Sequence, residues 1–327
     1  MKTILSLLII SLIAISCAER RAGTVNLILD TDLGPDFDDV GAMALMHAMA
    51  DSGYVNILAT VASNGNELVA PCISVINHYF NRPDIPIGAP KGNAADFGDW
   101  HKVKWTEALP ARYPHSIAKT SDAEDAVKVY RKILAAQPDT SVTICTIGFL
   151  TNMRNLLESS PDEFSPLSGR ELVAQKVKRL ASMAGAFPAG REYNVFVDST
   201  ASVTVFADWP TEILLSGFEI GVKILTGTRI IASQIENSPI KDTYSICLAE
   251  QDFEGRMSWD QTAVLVAVKG YEPYFNTERG RMIVSENGSN GWEADPKGKH
   301  IRLVEKLSPQ EMATIIETYM MHQPLKN

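Results

Sequence analysis

The sequence predicts an α/β protein with a single open, mostly parallel β-sheet flanked by helices. Three observations point there. Short apolar runs rich in Val, Ile and Leu alternate with segments of helical period through about residue 220, the rhythm of parallel strands joined by crossover helices. Polar clusters recur just after the strand-like runs, at 30–32, 63–64, 148–152 and 192–194. Open parallel sheets bind ligands beyond the carboxyl ends of their strands. With 327 residues and 45% hydrophobic content, the chain can bury such a sheet on both faces.

The elements follow in order. A buried strand over 25–29 runs into Asp30-Thr31-Asp32, and Asp38-Asp39 opens a helix over 40–49. A strand over 54–62, a helix over 67–80 and a short strand over 85–87 come next. A helix over 123–136 leads to a strand over 141–147 and a helix starting at Thr151. Strand 177–183, helix 200–206 and strand 212–215 continue the alternation. Beyond them the pattern is irregular, with helical stretches at 242–250, 259–268 and 308–321 and a strand-like run at 281–285. No repeat or low-complexity linker divides 24–327, which is read as one domain.

Residues 1–17 are different material. Lys2 gives a positive start, 4–15 is almost wholly apolar, and Ser16-Cys17 closes the stretch. A permanent bilayer span needs ~20 residues, so this reads as a secretory signal. A Cys directly after a small Ser resembles a bacterial lipoprotein cleavage site, with Cys17 the lipidated first residue and 18–23 a polar tether. The protein is therefore expected outside the cytoplasm, as a periplasmic or membrane-anchored bacterial lipoprotein that meets the membrane only through its lipid.

A net charge of −9, with no basic run interleaved with aromatics, argues against nucleic acid as a partner. Cys72, Cys145 and Cys247 are widely spaced, show no CxxC pairing and sit among apolar neighbours, so they read as core residues. The sequence leaves a homo-oligomer open.

The segment 30–39 holds five carboxylates in ten residues: Asp30, Asp32, Asp36, Asp38 and Asp39. One Asp before a helix is usually an N-cap. Five at a strand–helix junction repel one another, or raise each other's pKa, unless a cation sits among them. An oxygen-only donor set without His or Cys suits a hard ion, Ca²⁺ or Mg²⁺.

This segment resembles the inosine–uridine-preferring nucleoside hydrolases, whose hallmark DTDPGxDD lies near the N-terminus. Leu33 stands in the Pro position, and two extra residues separate Gly34 from Asp38-Asp39. Asp36 and Asp38 are both open to the ribose-binding role of the first Asp in the family's DD pair. Asp38 is preferred because Asp38-Asp39 keeps its place before the helix. The segment 60–64 resembles one ending in a ribose-binding Asn, here Asn64. Residues 147–152 look like the family's TGxLTN loop, in which a backbone carbonyl, here that of Ile147, ligates the metal. Glu192-Tyr193-Asn194 is similar to E-[FW]-N, where Glu and Asn grip the ribose hydroxyls. A further ribose-binding Asn normally lies six residues before that Glu, but position 186 is Ala. Trp259-Asp260 matches the late motif whose Asp completes the calcium shell.

The resemblance implies a nucleoside-hydrolase-like fold and calcium-dependent cleavage of the N-glycosidic bond of a nucleoside or riboside. Ca²⁺ would be held by Asp32, Asp39, Asp260 and the carbonyl of Ile147, and Asp32 would take the proton from the attacking water. Many members carry a His before the last Asp as the leaving-group acid; here it is Trp259. A purine-preferring branch has Trp–Asp there and sandwiches the base between aromatic rings, with Trp100 or Trp105 the candidate second ring. His101 is an alternative acid, although an isolated loop His is more often simply solvated. Three other readings share these residues: hydrolysis of another ribosyl or glycosyl compound, a non-catalytic nucleoside- or sugar-binding lipoprotein, and phosphoryl transfer. The last lacks basic residues at the first three strand ends.

Overall fold

The computed structural model describes residues 23–325; the expected signal peptide, Cys17 and tether residues 18–22 lie outside them. In chain order the strands are β1 (Val25–Thr31), β2 (Val55–Ala62), β3 (Ile87–Ala89), β4 (Glu124–Asp125), β5 (Val142–Thr146), β6 (Val177–Met183) and β7 (Ala189–Gly190). They continue with β8 (Glu212–Ser216), β9 (Leu225–Thr226), β10 (Arg256–Met257), β11 (Phe275–Val284), β12 (Asn290–Ala294) and β13 (His300–Glu305). Eleven of them form one sheet in the order β4-β3-β2-β1-β5-β6-β8-β13-β11-β12-β7, while β9 and β10 pair separately. Every pairing from β4 through β13 is parallel, and those beyond it are antiparallel. The sheet is open and mostly parallel, as the alternation predicts.

The two-residue period of a strand explains how this sheet is covered on both faces. Leu27 and Leu29 join one hydrophobic cluster and Ile28 the other; Cys145 and Ile144 divide in the same way. Burying one such Leu or Ile contributes roughly 1.5–3 kcal/mol. A one-residue slip would exchange the faces, so the core fixes the register that ends β1 at the acidic cluster. The helix Asp38–Asp51 is buried almost throughout, because the late helices Trp259–Lys269 and Pro309–Met320 pack on it. A Cβ on Gly41 would lie 2.5 Å from both Gln261 Nε2 and Tyr244 Oη, so only glycine admits that approach.

Several expectations change. The short strand expected at 85–87 begins at Ile87, because Pro86 has no N–H for a ladder; its carbonyl accepts from Thr60 N instead. The irregular late region adds β13, which pairs in parallel with β8, then β11 and β12 as an antiparallel extension. Two helices, Trp105–Arg112 and Gly169–Lys176, fill intervals to which the sequence assigned no separate element. Cys72, Cys145 and Cys247 are buried free thiols, as expected. Among the described residues no helix is long and apolar enough to cross a membrane.

Candidate active site

Strand ends build the site. β1 delivers Asp30 and Thr31, and the chain leaves the sheet at Asp32 before turning into the helix that starts with Asp38 and Asp39. The loop after β5 passes directly beneath. A Cβ on Gly148 would sit 2.5 Å from both Asp32 N and Ser63 Oγ, so glycine is required where this loop crosses. The loop after β6 brings Glu192 and Asn194, and the helix Trp259–Lys269 brings Asp260. Asp32, Asp38, Glu192, Asn194 and Asp260 border a cavity of about 370 Å³, whereas Asp39, expected among the metal ligands, lies behind Asp32 and does not line it.

Its floor is acidic and buried. Asp32, Asp38, Asp39 and Asp260 are at most 7% exposed, so their charges have almost no water to share. Burial is the main cause that raises the carboxyls of Asp32, Asp39 and Asp260 well above the usual range, and the neighbouring aspartates push them further. Asp38 is raised to about 7 by burial and by Asp36, with Arg256 acting against both. Thr31 Oγ1 donates to Asp39 Oδ1. Behind the floor, Asp30 accepts from Tyr130 Oη (2.8 Å) and Asn152 Nδ2 (2.9 Å), and burial still holds its carboxyl up at about 7.

Asp38, expected as the ribose ligand, is otherwise engaged. Its Oδ1 accepts from Nε and Nη2 of Arg256 (both 3.1 Å), and its Oδ2 accepts from the backbone N–H of Trp259 (3.1 Å) and Asp260 (3.2 Å). Four donors fill the acceptor sites of a carboxylate. Asp38 thus caps a helix more than two hundred residues away in sequence and pairs with the one guanidinium at the floor. Asp36, carried by the two extra residues, is half-buried, borders the cavity and pairs with Arg256 Nη2 at 2.6 Å.

Glu192 and Asn194 reach the cavity as expected. Glu192 accepts from the N–H groups of Asn194 (2.8 Å), Gly185 (3.1 Å) and Val195 (3.2 Å). These hold its carboxyl down, burial pushes it up more strongly, and it settles at about 7. Three donors leave one acceptor site open. Asn194 Nδ2 donates to the carbonyls of Ile147 (3.3 Å) and Met183 (3.2 Å), so the Ile147 carbonyl already has one donor.

The mouth is aromatic. Trp259 stacks on Phe218 with centroids 5.2 Å apart, its Nε1 donates to the Phe218 carbonyl at 2.9 Å, and Trp100 borders the same opening. Gly221 lets the Trp259 ring lie against the backbone, since a Cβ there would meet Trp259 Cα at 2.4 Å.

Other expected residues fall elsewhere. Asn64 does not border the cavity: its Nδ2 donates to the carbonyls of Asp32 (3.1 Å) and Phe97 (2.8 Å), and its Oδ1 accepts from Phe97 N and Asn66 N. It braces the loop of Asp32 with an amide that is fully used. Trp105 is wholly buried at a helix start and cannot meet a base. His101 is buried rather than solvated, held between Asp99 (2.8 Å) and Gln251 (2.8 Å). The sequence reading missed Arg256, Arg191 and Phe218. A surplus of buried carboxylates demands a cation, and that imbalance was the available signal for Arg256; nothing local marks the other two.

The floor fits a hard divalent cation. Its donors are oxygens, Arg256 pairs with Asp36 and Asp38 alone of the floor carboxylates, and Asp32, Asp39 and Asp260 remain raised by burial and by neighbouring aspartates. The carboxylate oxygens that converge within 4.8 Å of one another belong to Asp36, Asp38 and Asp260, so the expected ligand set shares only Asp260 with the tightest group. Arg256 pairs with Asp36 and Asp38, and the Asp260 N–H donates to Asp38.

An open parallel sheet with a carboxylate floor and an aromatic mouth at its strand ends defines a site for a hydroxyl-rich ligand carrying a flat ring. The chain belongs to the inosine-uridine preferring nucleoside hydrolase family, whose model matches residues 27–314. Family and fold together support hydrolysis of the N-glycosidic bond of nucleosides. A solved inosine-uridine preferring nucleoside hydrolase from Bacillus anthracis is 17% identical, covering 91% of this chain and 99% of that one with a TM-score of 0.67. A purine-preferring ribonucleoside hydrolase from Gardnerella vaginalis is 16% identical, covering 90% and 99% with a TM-score of 0.68. At these identities the likeness establishes the fold. An uncharacterised protein of Schizosaccharomyces pombe is 27% identical over 221 residues, 64% of this chain and 66% of its own length, so the chain spans just under two thirds of that relative.

Proposed function

We propose that the protein is a calcium-dependent N-ribohydrolase that releases the free base from ribonucleosides and favours purines. The observation that carries this reading is the buried carboxylate floor opening onto a stacked Trp259–Phe218 wall. Asp32, Asp39, Asp260 and the carbonyl of Ile147 would hold the ion. Bound calcium would cancel the floor's charge and polarise a water and the ribose hydroxyls. Asp32 would accept the water's proton once the ion holds it ionised. Glu192 offers its open acceptor site to a ribose hydroxyl, and Asp36, rather than the saturated Asp38, takes the other acidic contact. Positive charge developing on the ribosyl ring is favoured by the surrounding carboxylates. Trp259 offers its face to the base, and the bicyclic purines present more surface to it. The purine-preferring relative from Gardnerella vaginalis accords with this. Cys17 would anchor the mature enzyme outside the cytoplasm through a lipid; loss of labelled fatty acid in Cys17→Ser tests that.

The deciding experiment is chromatographic detection of free base from inosine, guanosine, adenosine, uridine and cytidine, with chelator and after calcium is restored. Release that stops with chelator and returns with calcium is expected. Release indifferent to chelator overturns the metal, and no release from any nucleoside overturns the reaction.

A further inference from the structure

We propose that the cavity accepts nucleoside 5′-monophosphates, with Arg191 binding the phosphate; this rests on the N-ribosyl-cleaving reading above. Two cations border the cavity, Arg191 and Arg256. Arg256 is paired with Asp36 (2.6 Å), Asp38 (3.1 Å) and Asp252 (3.1 Å). Arg191 has no carboxylate partner among the described residues. Its Nε donates to the carbonyl of Asn287 at 3.0 Å, and its guanidinium carbon lies 3.9 Å from the centroid of the Phe196 ring. The head group is therefore held on two sides while both terminal nitrogens stay unpartnered among the described residues.

The support is itself organised. Asn287 belongs to the turn between β11 and β12, which closes through Gly288 N to the Ser285 carbonyl at 2.8 Å. Gly288 has φ +78° and a Cβ there would lie 2.5 Å from Phe196 Cα, so the turn reaches the ring only with glycine. A surface arginine ordinarily samples many rotamers, and holding one has an entropic cost. Here a carbonyl and a ring hold it ready, with the donor fork that fits phosphate. In a cavity floored by carboxylates, it is the lining group suited to an anion.

Its place in the chain says which part of the substrate it meets. The next residue, Glu192, is the floor carboxylate with an acceptor site left for a sugar hydroxyl, whereas the base wall is Trp259 and Phe218. With C1′ at Asp32 and the 2′ and 3′ hydroxyls among the carboxylates, the ribosyl position left for Arg191 is C5′. The reaction balances without touching the ester. The water oxygen bonds to C1′ as the C1′–N bond breaks and its electron pair leaves with the base. One water proton ends on the base and the other stays on the new hydroxyl, giving free base and ribose 5-phosphate.

The test compares kcat/KM for inosine 5′-monophosphate and inosine in wild type, Arg191→Ala and Arg191→Lys, with calcium present. Calorimetry with ribose 5-phosphate and ribose runs alongside. The expected result is at least a tenfold preference for the monophosphate, reduced at least tenfold in Arg191→Ala mainly through KM and partly kept in Arg191→Lys. Ribose 5-phosphate should bind wild type at least tenfold more tightly than ribose does, and lose that advantage in Arg191→Ala. Cleavage of inosine without cleavage of the monophosphate, or a preference unchanged by Arg191→Ala, overturns the proposal. If neither substrate is cleaved, the N-ribosyl-cleaving reading fails instead. The calorimetry then decides for the arginine: binding lost in Arg191→Ala supports it, and no binding to wild type overturns it.

Discussion

Asp32 and Asp260 at the bottom of the cavity, with Asp39 just behind them, and Trp100, Phe218 and Trp259 at its mouth belong to one site but are held differently. The carboxylates are at most 7% exposed, Asp32 just past a central strand and Asp39 and Asp260 in the first turns of buried helices, whereas Trp100 (52% exposed) lies in a loop and Phe218 (42% exposed) opens a short helix; Trp259 is half-buried and starts the helix of Asp260. At the floor, desolvation makes every charge expensive, so each carboxylate must find a donor, a cation or a proton. At the mouth, a ring that moves leaves no charge uncompensated. The contrast teaches that chemistry and selectivity are separable here: floor changes should affect turnover or folding, and mouth changes should affect choice between bases.

The largest expected effect is at Asp32. Asp32→Asn should keep the fold and lose hydrolysis by ~10²–10⁴-fold, the usual cost of removing a general base. Turnover near wild type would break the assignment of chemistry to the floor. Next comes the one cation there. Arg256→Met leaves Asp38 buried without its partner, and breaking a buried pair in this way typically destabilises by about 3–5 kcal/mol. Urea denaturation measures it, and a change below ~1 kcal/mol would mean that the floor tolerates unpaired charge.

At the mouth, Trp259→Ala should reduce kcat/KM for inosine roughly ten- to hundred-fold more than for uridine, from the ~1–3 kcal/mol that stacking on a base contributes. Equal losses on both nucleosides, with a lowered melting temperature, would make Trp259 a packing residue and move the boundary between the two regions.

The last effect is in pH. The Glu192 carboxyl sits at about 7 in the folded protein against an ordinary 4.5, because it is buried. The native state thus keeps a proton that the unfolded chain releases, and this contribution to stability is complete below about pH 4.5 and lost as pH rises toward 7. The slope is about 1.4 kcal/mol per pH unit for one group. Denaturation midpoints at pH 5 and pH 7 should show Glu192→Gln lacking that share of the slope, while Trp100→Ala keeps it. Parallel profiles for wild type and Glu192→Gln would refute the burial argument.

The same division governed what the sequence could tell. Asp32, Asp260, Glu192 and Asn194 reach the cavity as expected, because strand ends and helix starts leave period and cap signals and the family motifs coincide with them. The alternation predicted the parallel half of the sheet, but the pairings of β13 with β8 and with β11 join segments far apart in sequence that no local pattern encodes. Side-chain commitments were equally hidden. Asp38 looks free for ribose until Arg256 and two distant backbone N–H groups fill its oxygens. Asn64 looks like a ligand until its amide proves to be spent on Phe97 and Asp32. Trp105 and Trp100 lie in the same polar stretch, yet only the second reaches the opening.

The position of β1, paired on both sides inside an eleven-stranded sheet, has a bearing on time as well as on space. Its amides can exchange with solvent only when neighbouring strands part, an event close to global unfolding. Opening of the floor is therefore far too rare to take part in each catalytic cycle. Arrival of substrate and departure of base and sugar must proceed through the segments carrying Trp100, Phe218 and Arg191.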